Sequence, residues 1–253
     1  MLAIIGGTGL TSIDELDIIE RKNLSTPYGE PSSAIIMGQL ADQPIYFLAR
    51  HGVNHDIPPH KVNYRANIAA LKSLGIDQII AVNAVGGINE KMGAGHITLV
   101  DQIIDYTHDR AHTFFEEDNV HHIDFTYPYS EIMRSHLIEA AKRLARQDSE
   151  FAFSANGVYG CTQGPRLETA AEVNRLERDG CDVVGMTAMP EAALARELEI
   201  DYVGISLVVN VAAGRSAGII SMAEIEKTLA SGMIQVRALL KAYLVDNALP
   251  SSN

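Results

Sequence analysis

YVGISLVVN, residues 202–210, is an apolar run rich in β-branched side chains that stops on an amide, Asn210. Its apolar residues follow one another almost without interruption, the pattern of a strand buried on both faces. Strands of that kind belong to parallel sheets covered on each side by helices. An amide at the end of such a strand needs something to hold.

Runs of the same character recur at LAII (2–5), SSAIIM (32–37), IYFLA (45–49), QIIAVNAV (78–85), HITLVDQII (96–104) and CDVVGM (181–186). Between and after them lie segments with Ala/Leu helical spacing and charged faces: VNYRANIAALKSLG (62–75), SEIMRSHLIEAAKRLARQ (130–147), RLETAAEVNRLERDG (166–180), PEAALARELE (190–199) and SMAEIEKTLASGMIQVRALLKAYLVD (221–246). The interleaving predicts an α/β fold, a single domain over residues 1–253 whose central sheet is mixed but mostly parallel and flanked by helices. The stretch from Asp109 to Tyr129, dense in His, acidic and aromatic residues, is the longest irregular segment, and such segments serve function or subunit contacts.

Composition narrows the partners. With 32 acidic against 20 basic side chains the net charge is −12, a field that repels phosphate backbones and anionic lipid and so argues against nucleic acid and membrane. A small anionic substrate would need a local cluster of Arg, His and backbone N–H groups working against that field. The two cysteines, Cys161 and Cys181, have no CxxC spacing and suit a reducing cytoplasm, and LAII is too short for a signal peptide or a membrane span. His108 and His112 stand four residues apart, but no third ligand follows at a metalloenzyme spacing, so no metal is expected.

Small residues and potential anion ligands gather where the apolar runs end. GGTG (6–9) puts Thr8 in a glycine turn after the first run; it lacks the third glycine of a dinucleotide fingerprint and the Lys of a P-loop. LARHG (48–52) offers Arg50, which can grip an oxyanion through two parallel N–H bonds, and His51 as a third donor. NAVGGIN (83–89) and VVGMTAMPE (183–191) bring Asn83 and Thr187 to the ends of two more runs, and a helix starts near Pro190. In a parallel sheet these strand ends share one crevice. Taken singly, each motif is equally at home as a turn, a cap or a salt bridge.

Taken together and in order, GGTGL, RHG, KVNYRANI, NAVGG, GPRLET, GMTAMPE and SLVVN resemble the trimeric purine nucleoside phosphorylases and methylthioadenosine phosphorylases, over roughly residues 1–240. The resemblance implies phosphate-dependent cleavage of a purine nucleoside, with inorganic phosphate as co-substrate and no cofactor or metal. It also implies a homotrimer whose 121–130 segment, HHIDFTYPYS, reaches a neighbour's site through His122. Carried onto matching positions, phosphate is expected at Thr8, Arg50, His51, Ala84 and Thr187 with Asn83 close by, ribose over Met186, and further substrate contact at Leu167.

The same resemblance gives Asn210 its task. Adenine-type relatives carry Asp at this position, whereas an amide can donate to a 6-oxo oxygen while its carbonyl accepts a proton at N7. Glu168 matches the glutamate that 6-oxopurine members set against N1–H, and Ala212 replaces a second Asp of the adenine type. At the ribose 5′ end, ordinary 6-oxopurine members use a histidine where Met222 and Ile225 align here, an apolar wall that favours a 5′-methylthio group. The joint expectation is S-methyl-5′-thioinosine as the nucleoside, with methylthioadenosine, or inosine and guanosine, as alternatives. A non-catalytic nucleotide-binding module and a dinucleotide-dependent dehydrogenase are the readings from other classes.

Overall fold

The computed structural model describes residues 1–10, 13, 15–116 and 120–247. The strands in chain order are β1 (Leu2–Gly6), β2 (Asp17–Lys22), β3 (Ile35–Leu40), β4 (Gln43–Ala49), β5 (Gln78–Gly87), β6 (Ile97–Thr98), β7 (Gln102–Asp105), β8 (Phe153–Ser154), β9 (Val158–Cys161), β10 (Val183–Gly185) and β11 (Asp201–Val211). The helices are α1 (Tyr64–Ser73), α2 (Glu131–Gln147), α3 (Ala170–Arg178), α4 (Ala188–Glu197) and α5 (Met222–Asp246).

All eleven of these strands join one sheet, in which β5 is the hub: it pairs in parallel with β1 and β11 and then, at Gly86 and Gly87, antiparallel with β10. Parallel pairs also join β1 to β4, β9 to β10, β7 to β9 and β6 to β8, while β2–β3, β3–β4 and β6–β11 run antiparallel. The mixed, mostly parallel sheet expected from the sequence is therefore present.

Strand alternation splits most of the core in two, and a smaller third cluster, with Val173 and Leu176 of α3, lies apart from both. Leu2, Ile4, Ile80, Val82, Val203, Ile205 and Leu207 pack with α2 and α5, whereas Ala3, Ile5, Ile79, Ala81 and Tyr202 pack with α1 and α4. Each side chain of Leu or Ile size so buried contributes about 1.5–3 kcal/mol, which is why these strands read as unbroken apolar runs.

Three strands lay outside the sequence reading. In β2 (DIIERK) five of six positions are exposed and four are charged, as suits an edge strand that must not invite further pairing. The other two, β8 and β9, are two and four residues long, too short to show a period. HITLVDQII forms two strands, β6 and β7, instead of one. Between Tyr106 and Ser130 the described residues form no helix or strand, as expected; residues 117–119 of the 109–129 segment lie outside the described residues.

Two local features shape the strand ends. First, β11 runs one residue past Asn210, and its pairing with β5 slips between Val208 and Asn210, leaving Val209 without a partner residue. Such a bulge bends a strand and re-aims its side chains. Second, Pro190 does start the regular turns of α4, because Met189 before it has extended backbone angles (φ −116°, ψ 138°).

Candidate active site

The ends of β1, β4, β5, β10 and β11, together with the start of α5, enclose a cavity of about 560 Å³, a size usual for small-molecule sites. Thr8, Arg50, His51, Asn83, Ala84, Leu167, Glu168, Met186, Thr187, Asn210, Met222 and Ile225 all line it. The crevice expected at the strand ends is thus present, and these twelve residues meet there together with Ala212, also singled out from the sequence. His122 is exposed on the surface and does not border this cavity.

Arg50 is wholly buried at the end of β4. Its Nε and Nη2 donate to the two carboxylate oxygens of Glu191 at 2.6 and 2.7 Å, and Nη1 donates to the Val82 carbonyl. The fork read from the sequence as an oxyanion grip is therefore filled by a protein carboxylate. Of the five guanidinium N–H donors, two remain, one on Nη1 and one on Nη2. Burial pulls this guanidinium down, and the charge and hydrogen bonds of Glu191 more than offset it, so Arg50 stays ionised above its ordinary range. The pair is electrically neutral as a unit, and Tyr202 completes it by donating to Glu191 at 2.8 Å. Gly7 lets the guanidinium in: a Cβ there would stand 2.5 Å from the Val82 carbonyl and 2.8 Å from Arg50 Nη1.

His51 differs from its expected part. Its Nδ1 lies 2.8 Å from the Ile57 carbonyl, which can only accept, so that nitrogen carries the proton. Burial, helped by the neighbouring Arg50 charge, pushes the imidazole down to about 4. The ring is neutral at pH 7, so Nε2 carries a lone pair and the third donor expected here is not available. Its neighbour His55 was not anticipated: the two rings stand 4.7 Å apart, and His55 Nε2 lies 3.4 Å from the Thr8 hydroxyl. Burial also lowers His55, against the pull of Asp56.

Asn83 and Thr187 are both buried and joined, the Thr187 hydroxyl donating to Asn83 Oδ1 at 2.9 Å. Ala84, next along β5, has only backbone polar groups to offer. At the far end of the cavity, Asn210 donates one amide hydrogen to the Val211 carbonyl at 2.7 Å, which leaves one N–H and Oδ1 free. Glu168 precedes the capping box of α3, formed by Thr169 and Glu172, and its Oε1 accepts from the Thr162 hydroxyl at 2.6 Å. Met222 is the first residue of α5, behind the cap Ser221, and Ile225 one turn on is buried, so the start of α5 gives the cavity an apolar side. No group of three or more His, Cys, Asp or Glu side chains able to hold a metal occurs among the described residues.

Sequence reasoning missed Glu191, His55 and Arg110. Glu191 sits in the quoted GMTAMPE motif, where an acid in the first turn of a helix has an ordinary reading against the dipole. Its partner lies 141 residues away, and nothing local marks the pair.

Comparison with known proteins agrees with the geometry. A profile of the Phosphorylase superfamily matches residues 1–245. A probable S-methyl-5'-thioinosine phosphorylase of Pseudomonas syringae pv. tomato is 57% identical over 244 residues, 96% of this chain and 97% of that protein. A 6-oxopurine nucleoside phosphorylase of Pyrococcus furiosus is 45% identical over 231 residues, 88% of this chain and 84% of that protein. Among solved structures, methylthioadenosine phosphorylase from Schistosoma mansoni in complex with adenine superposes with a TM-score of 0.91 at 30% identity, covering 98% of this chain and 92% of that one. Motifs that were individually ordinary build one cavity, relatives match nearly the whole length, and the chain belongs to the phosphorylase superfamily.

Proposed function

We propose that the protein cleaves S-methyl-5′-thioinosine with inorganic phosphate, giving hypoxanthine and 5-methylthioribose 1-phosphate. The observation that carries this reading is the pairing of Asn210 and Glu168 on one cavity whose other side is the apolar start of α5. The 57% identity to a probable phosphorylase of that nucleoside supports it.

The chemistry rests on the donors left over. The bond between the anomeric carbon and N9 breaks, the base takes the electron pair, and a phosphate oxygen forms the new bond to that carbon. Phosphate is assigned to Thr8, the two remaining N–H groups of Arg50, the Ala84 backbone and Thr187, whose hydroxyl turns from Asn83 to the anion. The Nε2 lone pair of His51 suits a phosphate oxygen that still carries its proton. Met186 and Leu167 face the sugar and base, and the phosphate charge stabilises the cation that develops on the ribose. No cofactor enters the scheme.

At the base, the free Asn210 N–H donates to the 6-oxo oxygen; as the purine leaves, N7 takes up the proton that hydrogen phosphate gives up, relayed through solvent, and Oδ1 accepts from that N7–H, while Glu168 accepts from N1–H. Adenine would bring a lone pair to Glu168, an unmatched buried contact costing about 1–3 kcal/mol. The homotrimer expected of the family would set His122 from a neighbouring copy at the open side, near the exposed Leu167 and Met222. Two buried free thiols fit a cytoplasmic location.

The test is phosphate-dependent base release from methylthioinosine, methylthioadenosine and inosine. Fastest release from methylthioinosine is expected. A preference for methylthioadenosine would sink the base assignment, and a preference for inosine the 5′ wall. Asn210→Asp is expected to shift preference towards the 6-aminopurine, and an unchanged ratio in that variant counts against the role given to the amide.

A further inference from the structure

Arg110 stands in the irregular segment after β7 and is nevertheless 9% exposed. Its guanidinium reaches two parts of the cavity wall at once. Nη1 donates to the carbonyls of Met186 and Met189 at 2.8 and 2.6 Å, and Nη2 to those of Thr162 and Gln163 at 3.3 and 2.8 Å. Nε donates to the Gln163 side chain at 3.1 Å, and Nη1 also approaches the Tyr64 hydroxyl at 3.4 Å. None of these acceptors is a carboxylate. A buried cation held by backbone carbonyls is a costly arrangement unless its geometry serves something.

What it joins identifies the service. Met186 and Met189 flank Thr187, at the phosphate and ribose end. Thr162 donates its hydroxyl to Glu168, at the base end. One planar fork therefore spans the loop that orients the base-facing carboxylate and the strand end that carries the anion-facing hydroxyl. We propose that Arg110 is a positioning residue that sets the spacing between the two ends of the cavity and, through Thr162, the direction of Glu168. The proposal rests on the reading of Glu168 as the base contact.

Phosphorolysis needs both substrates held in line, and a misplacement of about 1 Å can cost on the order of 100-fold in rate. The experiment compares the parent protein with Arg110→Met and Arg110→Lys, measuring kcat and KM for methylthioinosine and methylthioadenosine and the folded fraction of each preparation. In Arg110→Met, kcat should fall on the order of 100-fold, and the ratio of kcat/KM between the two nucleosides should shrink by roughly tenfold as Glu168 loses its orientation. Arg110→Lys should recover little of either, because an ammonium cannot span carbonyls on both sides in one plane. Methylguanidinium added to Arg110→Ala should restore activity where methylammonium does not. Losses that merely follow the folded fraction, with KM and the nucleoside ratio unchanged, would overturn the proposal.

The parent assay keeps the two ideas separate. Should the parent release no base from any nucleoside, the proposed activity falls, and Arg110 is judged by calorimetry of hypoxanthine and phosphate. Mutual enhancement of the two in the parent, lost in Arg110→Met, supports the spacing role. Enhancement retained in the variant, or absent from the parent, overturns it.

Discussion

His51 shows how burial sets chemistry at the scale of one side chain. Its imidazole, held neutral with a folded value of about 4, has an unfolded value of about 6.5. Because the folded value is the lower one, the unfolded chain binds the proton first as pH falls. Stability from this residue is therefore complete above about pH 6.5 and lost progressively towards pH 4. Between pH 7 and pH 5 the loss should be about 2 kcal/mol. Urea unfolding at the two pH values checks it: His51→Gln should show a pH dependence smaller by that amount, and an identical dependence in both proteins would refute the assignment. The sequence disclosed that His51 stands where a strand ends, and the ring does line the cavity. It could not disclose that Ile57 takes the ring's proton, because that contact depends on how the 51–57 turn folds back. Arg110 was hidden for a related reason: a segment without periodicity gives no sign of which of its side chains turns inward.

At the scale of elements, the ion pair of Arg50 and Glu191 ties the end of β4 to the first turn of α4, with Tyr202 of β11 as third member. Both charges are wholly shielded from solvent. Removing one partner strands the other in a medium that cannot solvate it, at a cost of about 3–5 kcal/mol. Glu191→Ala should accordingly lower stability by about that amount in denaturant unfolding. A loss below about 1 kcal/mol would mean that water reaches the guanidinium and that the pair behaves as a surface one. The elements themselves were largely legible: every helical segment read from the spacing is a helix, and each apolar run holds a strand. Runs such as Leu2–Gly6 announce themselves because burial on both faces excludes polar residues from them. The exposed β2 and the two-residue β8 follow no such constraint, and propensity alone does not find them.

At the scale of the whole molecule, order along the chain was worth more than any single motif. Six of the seven short patterns, scattered along the chain, converge on one cavity, largely because a parallel sheet collects its strand ends on one side. The overall charge adds a prediction. With a net charge of −12 the protein repels an approaching phosphate, and added salt should weaken that repulsion. Raising ionic strength until the screening length falls from about 30 Å to about 8 Å should leave kcat/KM for phosphate unchanged or raise it by roughly twofold. A steep decline would point to long-range attraction by a cationic mouth. The neutral pairing of Arg50 with Glu191, beside two histidines held below their usual range, is why no such decline is expected. In the proposed reaction capture would then happen at contact, where the two N–H groups left on Arg50 meet the anion. Turnover would follow how much free phosphate surrounds the protein, and would be nearly indifferent to the other ions that share its solution.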